Sequence, residues 1–444
     1  MYQSGQPIGF WGAVFLGIGA MVGAGIFALL GEAGAIAGSG VWVSFLIGGV
    51  IALLSGYSLA RLGATFPAAG GVVEYLVQAW GRGTLSGSMS ILLYIAAVIS
   101  LSLISKAFGA YAASLLPDAW QHPVAILLSC LIVLVFMAVN LRGARDVTRV
   151  EAITVVIKFG VLVAMGIAGI AVMDPQRLSP STYPQPSALF NALGVTFFAY
   201  EGFRVITNTA EDMPNPAKTL PRAMLAAILL VTALYVLVAI AVMGNLEVQQ
   251  VIEAKEYALA AAAKPVFGEI GFVLVVLTAL VSTASAINAN LYAVTNVTFE
   301  LARKGELPAA FGEPIAHSRK GLIYTSSLIV IINLLLDLTS IALLGSISIL
   351  FVHAIVHFGH LRLTHLTRAR WGWILAAGVA SLCAAILATL YAADHRPELV
   401  WMLTAFFLVA LGTEIFLQRV MGRVITERHS CQLGPPYGEP RDSR

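Results

Sequence analysis

The chain has 444 residues, 59% of them hydrophobic and 11% charged, with a formal net charge of +3. Soluble proteins carry about 25% charged residues, so this composition excludes a water-exposed surface of the size such a chain would need. No basic stripe with interleaved aromatics runs through it, which argues against nucleic-acid binding. The three cysteines, Cys130, Cys383 and Cys431, are scattered and give neither a disulfide framework nor a metal cluster.

Apolar runs recur from residue 10 to residue 420, each near the ~20 residues that cross a bilayer as a helix. Barrel strands would be about 10 residues long and strictly alternating, and that alternation is missing. The runs predict an all-α integral membrane protein with twelve transmembrane helices at 10–36, 40–65, 86–116, 123–141, 150–173, 187–211, 220–244, 268–302, 322–337, 340–361, 371–393 and 399–420. Met1 to Phe10 holds no Lys or Arg, unlike a signal peptide, so the first run is expected to be a retained helix. With the amino terminus inside, nineteen basic residues fall on inner segments and four (Arg177, Lys255, Lys264 and Arg396) on outer ones. This positive-inside bias predicts cytoplasmic termini, a multi-pass protein of the plasma or inner membrane, and one transmembrane domain over 1–421. The polar tail, 422–444, is expected to be disordered.

Along the chain, the first span carries Gly17, Gly19, Gly23 and Gly25 in GIGAMVGAGIF. Glycines weaken a helix interior by roughly 1 kcal/mol each. They either admit a close neighbour or mark a break that frees backbone groups to line a site. The third and eighth spans are long enough to include tilt. The fifth holds Lys158 mid-span, where burial disfavours the charged form and an ionisable group is a functional candidate. The sixth, FFAYEGFRVITNTAEDMPNP, sets Gly202 between Glu201 and Arg204. Two interrupted helices five spans apart are the pattern of inverted repeats, here 10–173 and 187–361, followed by two additional helices over 371–420. Free amides at a half-helix suit a carboxylate and free carbonyls an ammonium, so the pair suits an amino-acid zwitterion. Residues 245–265 predict a short outer helix. Glu211 to Arg222, with Pro214, Pro216 and Pro221, reads as an inner loop. Asn288 and Asn290 in the eighth span read as interhelical hydrogen bonders. His353, His357 and His360 share one face of the tenth span. Metal ligation is permitted by that spacing, but no Cys or carboxylate completes a set, which leaves a hydrogen-bonded or proton-sensitive face.

Three stretches carry a family resemblance: GIGAMVGAGIF at 17–27, FFAYEGFRVITNTAEDMPNPAKTLPRA at 197–223 and STASAINANLYAVTNVTFELARKGELP at 282–308. Together they resemble the amino acid–polyamine–organocation (APC) superfamily, over the chain to about residue 420. Lys158 in ITVVIKFGVLV makes the chain look most like the sodium-independent, proton-coupled archaeal amino-acid transporters. The resemblance implies the leucine-transporter fold, with 5+5 inverted repeats plus two trailing helices and substrate held between the first and sixth. It implies that Met21, Val22, Gly23, Ala24 and Gly25 offer amides to a substrate carboxylate. Phe197, Phe198 and Ala199 would offer carbonyls or an aromatic lid beside Gly202. Lys158 would stand where sodium binds in coupled relatives, meeting Gly19, Ser282 and Ser285. Glu201 departs from the family's usual apolar residue there. It is open to three readings: a selector for cationic substrates, a second proton site, or a partner of Arg204.

The expected function is therefore secondary active transport of amino acids by alternating access, proton-coupled, with broad neutral specificity suggested by the small residues Ala20, Gly23 and Ala24. The alternative is an amino-acid or polyamine exchanger of the same fold. An enzyme is disfavoured: no nucleophile–base motif, phosphate loop or metal constellation appears, and no cofactor is implied.

Overall fold

Backbone groups in hydrocarbon have no water to bond, so a lipid-exposed chain of this composition satisfies them within helices. The computed structural model describes residues 8–68, 70–142, 147–303, 307–316 and 318–420, and it is helical almost throughout. The expected tail lies outside the described residues. In chain order the helices are α1 (Phe10–Ala37), α2 (Val41–Thr65), α3 (Val72–Trp80), α4 (Thr84–Ala113), α5 (Asp118–Leu141), α6 (Val147–Val172), α7 (Pro186–Asn191), α8 (Leu193–Tyr200) and α9 (Pro216–Asn245). Then come α10 (Val248–Glu253), α11 (Ala258–Ala261), α12 (Lys264–Arg303), α13 (Lys320–Leu335), α14 (Leu338–His360), α15 (Thr364–Thr367), α16 (Trp371–His395) and α17 (Pro397–Val420). A two-residue hairpin precedes α13, pairing Pro314 with Arg319 and Ile315 with Ser318.

Among the described residues, nine helical stretches are long and apolar enough to cross a bilayer. One of them, Gly25–Thr65, joins the end of α1 to α2 through a turn at Gly38–Gly40. That turn needs Gly38, whose φ of 53° a side chain would strain. The long part of α12 follows a kink at Gly268, the one non-helical residue in that element, with φ of 66°. The eighth predicted span begins at the same residue. Residues 245–265, expected to hold a short helix, form one in pieces, with α10 opened by a reciprocal Glu247–Gln250 capping box. The amphipathic helix α3 was not among the predicted spans.

Burial separates a centre from a rim. In α4 and in the stretch Leu338–Thr367, 83% of the apolar window is covered by protein, against 17% in α5 and 22% in α17. The rim helices therefore turn Leu127, Leu131, Leu408 and Phe416 outward, as helices facing acyl chains do. Polar side chains on α14 lie in the best-covered part of the molecule, where an unpartnered one is costly.

Candidate functional site

The first and sixth spans meet backbone to backbone. A Cβ on Gly202 would strike the Ala20 carbonyl carbon and the Met21 amide, and one on Gly25 would strike the Ala199 carbonyl and the Tyr235 hydroxyl. Glycine at both positions is the condition for this approach. The two spans nevertheless differ in their own conformation. Helix α1 is continuous from Phe10 to Ala37. The expected break at Gly19–Gly25 is thus corrected, because those glycines serve close packing. The amides of Met21, Val22, Gly23, Ala24 and Gly25 lie inside an intact helix rather than at a free half-helix end. Met21, Val22, Gly23 and Gly25 are buried, and the Ala24 side chain lies outside the described residues.

The sixth span does change. Its α-helix stops at Tyr200, and Glu201–Asp212 continues as twelve residues of 3-10 helix. Runs beyond three or four residues are uncommon and mark a hinge or strain. At three residues per turn, side chains three apart eclipse. Glu201 is thereby stacked on Arg204, whose Nε bonds Glu201 Oε1, and the Thr207 hydroxyl donates to the Arg204 carbonyl at 2.6 Å. The geometry shows one of the three readings of Glu201, the pairing with Arg204. Its other oxygen, Oε2, faces His353 Nε2 at 3.5 Å. Phe197 is fully buried, with its ring edge-on to His353 at 5.7 Å. Phe198 packs instead toward α14, close to Gly345.

Lys158 is 3% exposed. Its Nζ donates to the Gly19 carbonyl at 2.8 Å, and a Cβ on Gly23 would lie 3.5 Å from the same Nζ. Ser282 Oγ, fully buried on α12, makes a long 3.5 Å contact with the Val22 carbonyl. Lys158, Gly19 and Ser282 therefore share one junction of α1, α6 and α12, with Ser285 half-buried three residues further along α12. Tyr235 of α9 adds a donor that sequence reasoning missed. Its hydroxyl is within 2.8 Å of the Met21 carbonyl and 3.1 Å of the Ala199 carbonyl. Three successive contacts, at Gly19, Met21 and Val22, thus load the carbonyls of an unbroken helix with donors from elsewhere.

Other predicted polar residues resolve individually. Asn140 Nδ2 donates to Asn288 Oδ1 at 2.8 Å across helices, whereas Asn290 bonds its own helix at Ala286. Near the far end of α1, Glu32 is 1% exposed and meets Lys255 at 3.2 Å and the Thr339 hydroxyl at 2.9 Å. This clamp between α1, the 245–265 segment and α14 carried no sequence signal beyond a lone carboxylate. Glu256, next to it outside the spans, is pushed up by burial, with Lys106, His122 and Lys255 opposing.

The chain matches the amino acid permease family over residues 8–413. It belongs to that family. The permease is 36% identical over 407 residues to the inner membrane transport protein YbaT of Escherichia coli, covering 91% of this chain and 94% of that one. It is also 36% identical over 362 residues to the Methanocaldococcus jannaschii protein MJ0609, covering 81% and 83%. Against the serine/threonine exchanger SteT of Bacillus subtilis the identity is 28% over 319 residues, covering 70% and 71%. The permease is therefore a multi-pass membrane transporter of the APC type and not an enzyme.

Proposed function

We propose that the permease takes up amino acids by proton-coupled alternating access, with substrate held where α1 meets the sixth span. Twelve spans in the leucine-transporter arrangement, with both termini in the cytoplasm, accommodate the helices described above. The carrying observation is the Lys158 amine on the Gly19 carbonyl at a three-helix junction. An ammonium there bonds α1, whereas a neutral amine bonds it more weakly, so proton occupancy changes how firmly α1 is held to α6. A tenfold bias between outward and inward states requires only about 1.4 kcal/mol of such difference. The 3-10 segment supplies the element that rearranges, because its amides are held by a geometry poorer than that of an α-helix. The small surfaces of Ala20 and Gly23 support neutral side chains as cargo.

The second reading is exchange of amino acids without net proton movement, which the exchanger among the relatives favours. Uptake of labelled alanine, serine, threonine, leucine and lysine into proteoliposomes separates the two, with and without an inward proton gradient, for wild type and Lys158→Ala. Proton coupling predicts saturable uptake that external acid accelerates and that Lys158→Ala no longer couples to acid. Uptake indifferent to the gradient but dependent on internal amino acid would replace this reading with exchange.

A further inference from the structure

The three histidines on α14 alternate with hydroxyls of α2. Ser55 Oγ lies 2.9 Å from His353 Nδ1 and 2.8 Å from His357 Nε2. Ser58 Oγ lies 2.9 Å from His357 Nδ1 and 2.8 Å from His360 Nδ1. His360 Nε2 then reaches Thr367 Oγ1 at 2.9 Å. At the other end His353 Nε2 faces Glu201 Oε2 at 3.5 Å, and neither of these two atoms has a hydrogen-bond partner. All three histidines and both serines are 0% exposed, and Thr367 is 2% exposed.

The arrangement follows from two helical periodicities. His353, His357 and His360 lie at i, i+4 and i+7 on α14, and Ser55 and Ser58 at i and i+3 on α2, so each pair lines one face. The helices run in the same direction here, since Ser55 meets His353 and Ser58 meets His360. From His353 to His360 the rings climb about 10 Å at 1.5 Å per residue. Phe197 and Phe203 pack edge-on to His353 at 5.7 and 5.8 Å, which keeps water from its ring. The charged groups acting on the chain are Arg204 of the 3-10 segment at the Glu201 end and Arg61 of α2 at the His360 end. Arg61 also bonds the Thr367 carbonyl, and Thr367 adjoins the exposed Arg368.

We propose that Glu201, His353, Ser55, His357, Ser58, His360 and Thr367 form a proton path between the hinge of the sixth span and the arginine-flanked end of α14, and that Glu201 is a second proton-coupling group. The hydrogen-bond chain admits two complete polarities with every histidine neutral. In one, His353 Nε2–H points to Glu201, Ser55 donates to His353 Nδ1, and His357 Nε2–H donates to Ser55. Ser58 then donates to His357 Nδ1, His360 Nδ1–H to Ser58, and Thr367 to His360 Nε2. Moving each proton across its own bond protonates Glu201 and leaves each ring with one N–H; buried Thr367 is then reprotonated by a water molecule entering beside the adjacent exposed Arg368. The reverse polarity releases the proton by the same steps, and rings and hydroxyls must reset before a second proton follows in the same direction. The 3.5 Å junction at Glu201 is the one long link, and it sits on the segment expected to move. Protonating Glu201 removes the charge that holds Arg204, so the proton reports to the hinge.

This rests on the transport reading but not on Lys158. The test uses proteoliposomes with a trapped pH dye and whichever amino acid of the panel the wild type carries. It records substrate-driven proton flux and, separately, counterflow of labelled substrate without a gradient. Ser55→Ala and Ser58→Ala each remove a hydroxyl that bridges two histidines, and so two consecutive links, and both lie away from the substrate contacts. The expected result is at least about a tenfold loss of proton flux with counterflow within about twofold of wild type, and recovery of flux in Ser55→Thr. Wild-type proton flux in both alanine variants overturns the path, whatever Lys158→Ala does. Equal loss of flux and counterflow in both, unrescued by threonine, also overturns it and marks the hydroxyls as structural. Counterflow without any proton flux in the wild type is the separate signature of a failed coupling reading, and it removes the path as well.

Discussion

The first and sixth spans carry the same invitation to break and respond differently. Four glycines leave α1 helical from end to end, while the single Gly202 sits in a segment that has left the α-helix for twelve residues. The difference lies in the neighbours. Around α1's glycines the side chains are Ile18, Met21, Val22 and Ile26, all buried and apolar, so no side chain of that stretch competes for its backbone, and the outside donors at Gly19, Met21 and Val22 add to the helix without interrupting it. In the sixth span Glu201, Arg204, Thr207 and Thr209 each make polar contacts three residues along or to a carbonyl three back, and a tighter turn serves these better. Glycine permits an unusual path; buried polar side chains that need partners select it.

Four substitutions probe this contrast, taken from the largest effect down. Gly202→Val places side-chain atoms on the backbone of Ala20 and Met21. A backbone wall cannot yield as a side chain does, so transport should fall to background, with destabilisation of about 3 kcal/mol or more. Uptake and thermal melting of the purified protein read both. Arg204→Met leaves the buried Glu201 carboxylate without its cation. Removing one partner of a buried pair costs about 3–5 kcal/mol, and a melting temperature unchanged from wild type would show that the pair does not hold the segment. Tyr235→Phe removes the one hydroxyl lying between the Met21 and Ala199 carbonyls. The expected loss is about 1 kcal/mol, with a several-fold change in KM. Gly19→Ala meets only Val155 Cγ2 at 2.8 Å, the end of a side chain that can shift. It should cost under about 1 kcal/mol, the helix-propensity gain of Ala over Gly offsetting part of the clash, and uptake should stay within about threefold.

Much of this was readable in the chain. Run length located most of the long helices, and even the start of the eighth span fell on Gly268; it did not show that 187–211 divides into α7, α8 and a 3-10 segment, nor that α3 forms. Lys158 stood out as a lone charge in an apolar run, and the family pattern named Gly19, Ser282 and Ser285 around it; Gly19 and Ser282 lie at its junction, while Ser285 is half-buried one turn along α12. The histidine face was visible as a periodicity. Its partners were not, because Ser55 and Ser58 are two serines among many and lie about 300 positions away in sequence. Tyr235 was hidden for the same reason. The α1 break was misjudged because glycine counts alone cannot separate a helix that is interrupted from one that is closely approached; the answer depends on what packs opposite, here Val155, Ala199 and Tyr235.

The most direct test of the account is hydrogen–deuterium exchange on the protein in lipid nanodiscs, comparing residues 201–212 with residues 17–30, with and without a transported amino acid. The sixth-span segment should exchange at least about tenfold faster than α1 and be slowed by substrate, while α1 changes little. Equal protection of the two stretches, or substrate protection confined to α1, would contradict the assignment of the sixth span as the moving half of the site.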